Sequence, residues 1–260
     1  MSSTSSIYEQ LVATELHKWQ QAMRKRPSFW NKTTKKVQKK INNIIPEKVH
    51  LAITKAIKEI TRGVLFGSGF TTRKPRKINS LEETEAKIKE RINFYSSSAA
   101  VEGAATGFGG FLLSLADFPL WLTLKMKMLF EIASRYGYDT KDYKERIYIL
   151  YIFQLTFSSQ QHRNMIFENM ESWDLIKEQL PDDLNTFDWR TFQLEYRDYI
   201  DLAKLLQLIP GVGAIAGALV NHMLTNKLGK TAMNAYRMRD NRFKKVKLLT
   251  GNPTLSLPDK

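Results

Sequence analysis

The stretch VEGAATGFGGFLLSLADFPLWLTL, residues 101–124, decides the fold. From Ala104 to Leu124 its only formal charge is Asp117. A helix needs about 20 apolar residues to cross a bilayer, so the run has the length of a span. Asp117 and Pro119 interrupt it, and Gly, Ala and Thr dilute its hydrophobicity. Asp117 is placed to cap the following helix, with Pro119 in the first turn, where a missing N–H costs nothing. A second stretch, LLQLIPGVGAIAGALVNHMLT (205–225), has no formal charge and is broken by Pro210 and Gly211. Gly103 and Gly107 stand four apart, as do Gly213 and Gly217, a spacing that lets two helix backbones approach closely. Three arrangements are open for these segments: paired core helices, shallow bilayer contact, or full spanning. The breaks and the small residues put the paired core first.

Outward from these segments, apolar residues recur at helical spacing and sustained alternation is scarce. Residues 5–24 read as an amphipathic helix with Tyr8, Leu11, Val12, Leu16 and Trp19 on one face. A short basic stretch covers 29–43, and Pro46 with Glu47 opens a helix to about Leu65. Residues 66–79 read as a loop with a basic cluster, Arg73, Lys74, Arg76 and Lys77. Ser80 and Glu83 form a capping box for a helix to about Ala100. The helix after Pro119 continues to Tyr136 and stops at Gly137. Asp139 or Thr140 caps a helix over about 141–158, and another covers 161–178. Pro181 and the acidic residues after it mark a connection, and 188–207 read as helical again. A basic helix follows the second segment to about Leu249. The expected fold is all-α, a multi-helix bundle with two central Gly/Ala-rich apolar helices and basic helices at both ends. The expected division is a basic helical region over 1–79, the main helical domain over 80–250, and a tail over 251–260.

The chain of 260 residues can bury a sizeable core, and 43% hydrophobic with 25% charged residues is ordinary globular composition. It has no cysteine, which excludes disulfides, a thiol nucleophile and thiolate metal sites. The N-terminus lacks the basic and then apolar pattern of a secretory signal. Net charge is +14, divided as +12 over 1–95, −5 over 96–221 and +7 over 222–260. Basic ends around an acidic middle point to an anionic partner. Lys227, Lys230, Arg237, Arg239, Arg242, Lys244, Lys245 and Lys247 follow the second segment directly. Cations beside an apolar element suit lipid headgroups at a cytoplasmic face. These eight, with Arg73, Lys74, Arg76 and Lys77, are the expected contacts to anionic lipid. Nucleic acid is the weaker alternative, since no C2H2 finger, RNP motif or basic-zipper pattern is present.

Signals for chemistry are sparse. His17, His50, His162 and His222 lack helical metal-site spacing, and no HExxH occurs. Neither phosphate-loop signature fits the run 106–110. Gly211, Gly213 and Ala216 match only the loosest dinucleotide pattern, with no strand before them. No GxSxG elbow exists, and nothing marks a base for Ser96, Ser97 or Ser98. Glu102, Asp117 and Glu131 are the carboxylates in or beside apolar sequence, where an unpaired charge is costly. Capping accounts for Asp117, and ion pairs with core-facing Lys or Arg account for Glu102 and Glu131. The alternative is an enzyme, acting on lipid, in which these three converge with His162. No metal or other cofactor is expected.

The pieces Glu102-Gly103-Ala104, Thr106-Gly107-Phe108-Gly109-Gly110 and Ala116-Asp117-Phe118-Pro119 resemble the EcsC family of bacterial proteins. So do Glu131-Ile132-Ala133, Tyr136-Gly137-Tyr138-Asp139, Ile209-Pro210-Gly211-Val212-Gly213-Ala214, Gly217-Ala218, Asn221, Thr231-Ala232 and Arg237. The resemblance covers about residues 85–245, without a motif match in 141–200. It implies a helical, membrane-associated protein of unestablished activity, and the basic flanks place it at the inner face of the cell membrane. Its partner class would be a membrane protein such as a transporter, because the family is named for a gene beside an ABC transporter. It supplies no catalytic residue set.

Overall fold

The structure is a computed structural model, and it describes residues 3–25, 47–67, 75, 80–106, 118–158, 162–186 and 214–244. The fold is all-α, and no strand occurs among these residues. The helices are α1 (Ser3–Arg24), α2 (Glu47–Phe66), α3 (Leu81–Thr106), α4 (Phe118–Arg135), α5 (Tyr143–Phe157), α6 (Arg163–Glu171), α7 (Trp173–Gln179) and α8 (Ala214–Arg239). A 3-10 turn spans Leu184–Thr186.

Local chemistry sets most boundaries. The Glu83 N–H donates to Ser80 Oγ at 3.4 Å, so Ser80 caps α3. That helix runs past Ala100 to Thr106, taking Gly103 into its last turn. α4 begins at Phe118, which puts Pro119 in its first turn. It ends in a Schellman motif: Gly137 takes φ 85°, its N–H reaches the Ser134 carbonyl, and the Tyr138 N–H reaches that of Ala133. α5 starts two residues later than its sequence suggests, because Asp142 is the cap that accepts from the Lys144 N–H. Asp139 instead closes the preceding turn by accepting from the Lys141 N–H. The helix expected over 161–178 is two, α6 and α7, broken at Ser172. The break turns Trp173 inward, 1% exposed, with its ring 5.1 Å from Tyr148.

α3 and α8 form the central pair and run antiparallel. Glu85 bonds Arg237, while a Cβ on Gly229 would lie 2.6 Å from Ile92. Glycine at 229 therefore permits this closeness. The same register sets the backbone of Gly103 level with Ala218 and Leu219. α4 runs against α3, with Tyr136 on Glu85 and Glu131 on Arg91. α5 runs against α8, with Glu145 on Arg239 and Tyr148 donating to the Ala235 carbonyl. α1 also runs against α8, Glu9 meeting Arg242 and Glu15 meeting Arg237. The C-terminal carbonyls of α2 (Leu65 and Gly67) accept from Arg146 near the start of α5. So α1, α3 and α5 point one way, and α2, α4 and α8 the other.

One core serves all of them. Ile149, Ile152 and Phe153 of α5, Met126, Leu129 and Ile132 of α4, and Leu228 and Ala232 of α8 are buried together. Val12 and Leu16 of α1, with Ile57 and Val64 of α2, join the same core, so the basic N-terminal helices pack into the body of the bundle. Leu11 does not face inward and is 53% exposed. One residue is a 100° step on a helix, which carries Leu11 off the face that Tyr8, Val12 and Leu16 share. The stretches 29–43, 68–74, 76–79, 107–117, 187–213 and 245–260 lie outside the described residues. Among the described residues, no helix is long and apolar enough to cross a membrane.

Candidate functional site

The alternating helices give the bundle two unlike ends. One end gathers the starts of α1, α3 and α5 and the finishes of α2, α4 and α8. Here charges are buried and matched. Glu85 is fully buried in α3. Its carboxylate accepts from Arg237 Nε at 2.8 Å and Nη2, from Tyr8 Oη at 2.7 Å and from Tyr136 Oη at 2.9 Å. Arg237 Nη1 also reaches Glu15 at 3.1 Å. Burial by itself would push the Glu85 carboxyl up, but the Arg237 guanidinium and the two tyrosine hydroxyls hold it below the usual carboxylate range.

A second buried carboxylate, Glu145, accepts from Arg239 Nη1 at 2.8 Å and from Tyr236 Oη at 2.8 Å. The Arg239 guanidinium lies over the rings of Tyr138 and Tyr148, 4.0 and 4.3 Å from their centroids. Burial raises the Glu145 carboxyl, and Arg239 and Tyr236 pull it back only in part. Burial also pushes the Tyr138 phenol up, to about 12. Beside this cluster a small open cleft is lined by Tyr136, Tyr138, Tyr236, Arg239 and Arg242. The arginines at its rim are already engaged, Arg239 with Glu145 and Arg242 with Asp240 and Glu9.

Two residues expected at a lipid surface are therefore elsewhere. Arg237 and Arg239 are not headgroup contacts; their side chains are 4% and 9% exposed and sealed in ion pairs. Arg242 is tied to Asp240 and Glu9, and Lys244 to Asp174. The periodicity of α8 carries the signal that was missed. Met233 and Arg237 are four apart, as are Ala235 and Arg239, so each arginine extends a buried stripe. Glu85 likewise continues the buried stripe Leu81, Ile88 and Ile92.

Glu131 is paired with Arg91 at 3.0 Å and Arg135 at 2.8 Å, and Tyr95 donates to it at 3.3 Å. Burial opposes ionisation there too, but the two arginines hold its carboxyl below the usual range. Glu102 lies in the last turns of α3, about 10 Å along the axis beyond Tyr95. The structure therefore does not bring its backbone alongside Glu131. Asp117 lies outside the described residues, and His162 occupies the N-cap position of α6. Among the described residues, no three His, Asp or Glu are grouped to hold a metal. Asn221, Thr231 and Ala232 are buried in α8. Gly107, Gly109, Gly110, Pro210, Gly211, Gly213, Arg73, Lys74, Arg76, Lys77, Lys245 and Lys247 lie outside the described residues.

The opposite end gathers the finish of α3 and the starts of α2, α4 and α8. Positions 97–106, 118–124 and 214–225 carry one formal charge, Glu102, and the first turn of α2 adds Glu47 and Lys48. Leu120 and Met223 are exposed there, 59% and 67%. Beneath it Lys125 is buried, its ammonium 4.1 Å from the centroid of Trp121. Two turns along their helices, Lys127 and Lys230 are exposed, and Lys227 is exposed as well. Desolvation at its tip and the neighbouring Arg163 lower the Lys227 ammonium.

Comparison with known proteins follows this geometry. The model of the EcsC protein family matches residues 10–240. The chain is 42% identical to the protein EcsC of Bacillus subtilis over 231 residues, covering 88% of this chain and 95% of that one. It is 29% identical to a second Bacillus subtilis protein, the uncharacterized YdbA, over 257 residues, covering 90% and 92%. No solved structure matches significantly.

Proposed function

The chain belongs to the EcsC family, and on that premise we propose that it is a binding protein of an anionic membrane surface, attached peripherally at the cytoplasmic face. One observation carries this reading: the unlike ends of the bundle. A chain of net charge +14 matches the arginines of one end internally and leaves the other end sparsely charged. A sparsely charged, Gly/Ala-rich end on a cationic body suits a surface that is apolar within and anionic outside. A place beside a transporter, or in another envelope process, is the setting the family name suggests. Catalysis by Glu102, Asp117 and Glu131 has no such support, because Glu131 is already committed to Arg91 and Arg135.

The test is co-sedimentation with vesicles of phosphatidylcholine alone and of phosphatidylcholine with phosphatidylglycerol. Binding is expected only with the anionic vesicles, and it should weaken as salt rises from about 0.05 to about 0.5 M. Equal failure to bind both would end the reading.

A further inference from the structure

Three helices repeat one pattern at the sparsely charged end. α4 presents Leu120 and, seven residues on, Lys127. α8 presents Met223 and, seven residues on, Lys230. α2 presents Leu51, 63% exposed, and, seven residues on, Lys58. All three lysines are exposed. Seven residues are two helical turns, so in each pair the apolar residue and the lysine lie on nearly the same face, about 10 Å apart along the axis. All three helices also run the same way. The carbonyls at the end of α2 meet Arg146 near the α4–α5 connection, so α2 begins towards the sparsely charged end, as α4 and α8 do.

We infer that this end of the bundle is the face that enters the bilayer, with Leu51, Leu120 and Met223 at the acyl boundary and Lys58, Lys127 and Lys230 on anionic headgroups. The inference rests on the proposed membrane reading and adds the orientation to it. The separation of about 10 Å matches the depth to which interfacial elements sink, about 5–10 Å below the headgroups. At the opposite end the spacing occurs once, at Leu11 and the exposed Lys18 of α1. Ile7 and Leu11 stand beside Glu9 and Glu15, and Leu175 follows Asp174.

The chain has no cysteine, so single labels can be placed without altering anything else. Leu51→Cys, Leu120→Cys, Met223→Cys and, at the other end, Leu175→Cys are each coupled to an environment-sensitive fluorophore. All four positions are exposed, so the fold should survive, and far-ultraviolet circular dichroism checks that. With phosphatidylglycerol vesicles, labels at 51, 120 and 223 should shift to the blue and be quenched by a nitroxide in the acyl chains, and the label at 175 should not. Lys58→Gln, Lys127→Gln and Lys230→Gln should each weaken vesicle binding by about fivefold. If the unlabelled protein binds these vesicles while labels at 51, 120 and 223 stay aqueous, the orientation is wrong and the membrane reading stands. If the labels are protected without vesicles, a second copy of the chain covers this end and the inference is overturned. If the unlabelled protein binds no vesicle, the membrane reading itself fails.

Discussion

Replacing Glu85 by Gln removes the charge opposite Arg237 and keeps the side-chain shape. The Arg237 side chain is 4% exposed, so its guanidinium cannot turn to water without opening α1, α3 and α8. Glu15, 54% exposed and 3.1 Å away, is the carboxylate left to it. The amide can still accept from Tyr8 or Tyr136, but its NH2 group faces the guanidinium donors. Removing one partner of such a buried pair costs about 3–5 kcal/mol. With a urea slope of about 3 kcal/mol/M, the midpoint should fall by at least roughly 1 M, read by helical circular dichroism at neutral pH. A triple change, Glu85→Leu with Arg237→Met and Tyr136→Phe, should recover most of that loss, because no charge or buried hydroxyl is then stranded. A loss below about 1 kcal/mol for Glu85→Gln is what an exposed pair would give, and it would refute the claim that this network is sealed.

Three further outcomes follow from the same contacts. Glu85 and Glu131 ionise more readily in the fold than in the open chain, so their contribution is complete above the ordinary glutamate value, about 4.3, and disappears as pH falls through the lower folded values. Glu145 is raised and acts oppositely, contributing fully below the ordinary value and losing its contribution as pH rises through the folded one. Urea midpoints from pH 7 to pH 2 should therefore drop below about pH 4.3, and the drop should shrink in Glu85→Gln; an unchanged slope in that variant would contradict the assignment. Gly229→Ala should cost about 1–3 kcal/mol, because its methyl would meet Ile92, and Ile92→Val should return part of it; a stabilised Gly229→Ala would show that α3 and α8 are not this close. Gly137→Ala should cost about 1–2 kcal/mol, since φ 85° is left-handed backbone, and thermal unfolding would report a neutral result against it.

The sequence carried the helical class, because its signals there are local. Ser80, Pro119 and Gly137 act within one turn of themselves, and the helix ends at those positions follow from their own chemistry. Choice of partner is not local. Glu85 finds Arg237 152 residues away, and nothing near either residue in the chain announces the other. The basic C-terminal stretch therefore read as a uniform lipid-facing run. The fold instead sorts it, burying Arg237 and Arg239, which lie on the apolar stripe, and leaving Lys230 outside. α3 and α8, which carry the described parts 101–106 and 214–225 of the Gly/Ala-rich segments, pair with Ile92 on Gly229. Their end of the bundle gains a direction only when α2, α4 and α8 are seen to start there, which helical periodicity within one segment cannot convey.

The most direct measurement on the central claim is fractionation of cells producing the full chain, followed by a carbonate wash of the membranes. A peripheral protein held by lysines and a shallow apolar end should sediment with the membranes and be released by carbonate. Recovery wholly in the soluble fraction, or retention after the wash, would contradict the account.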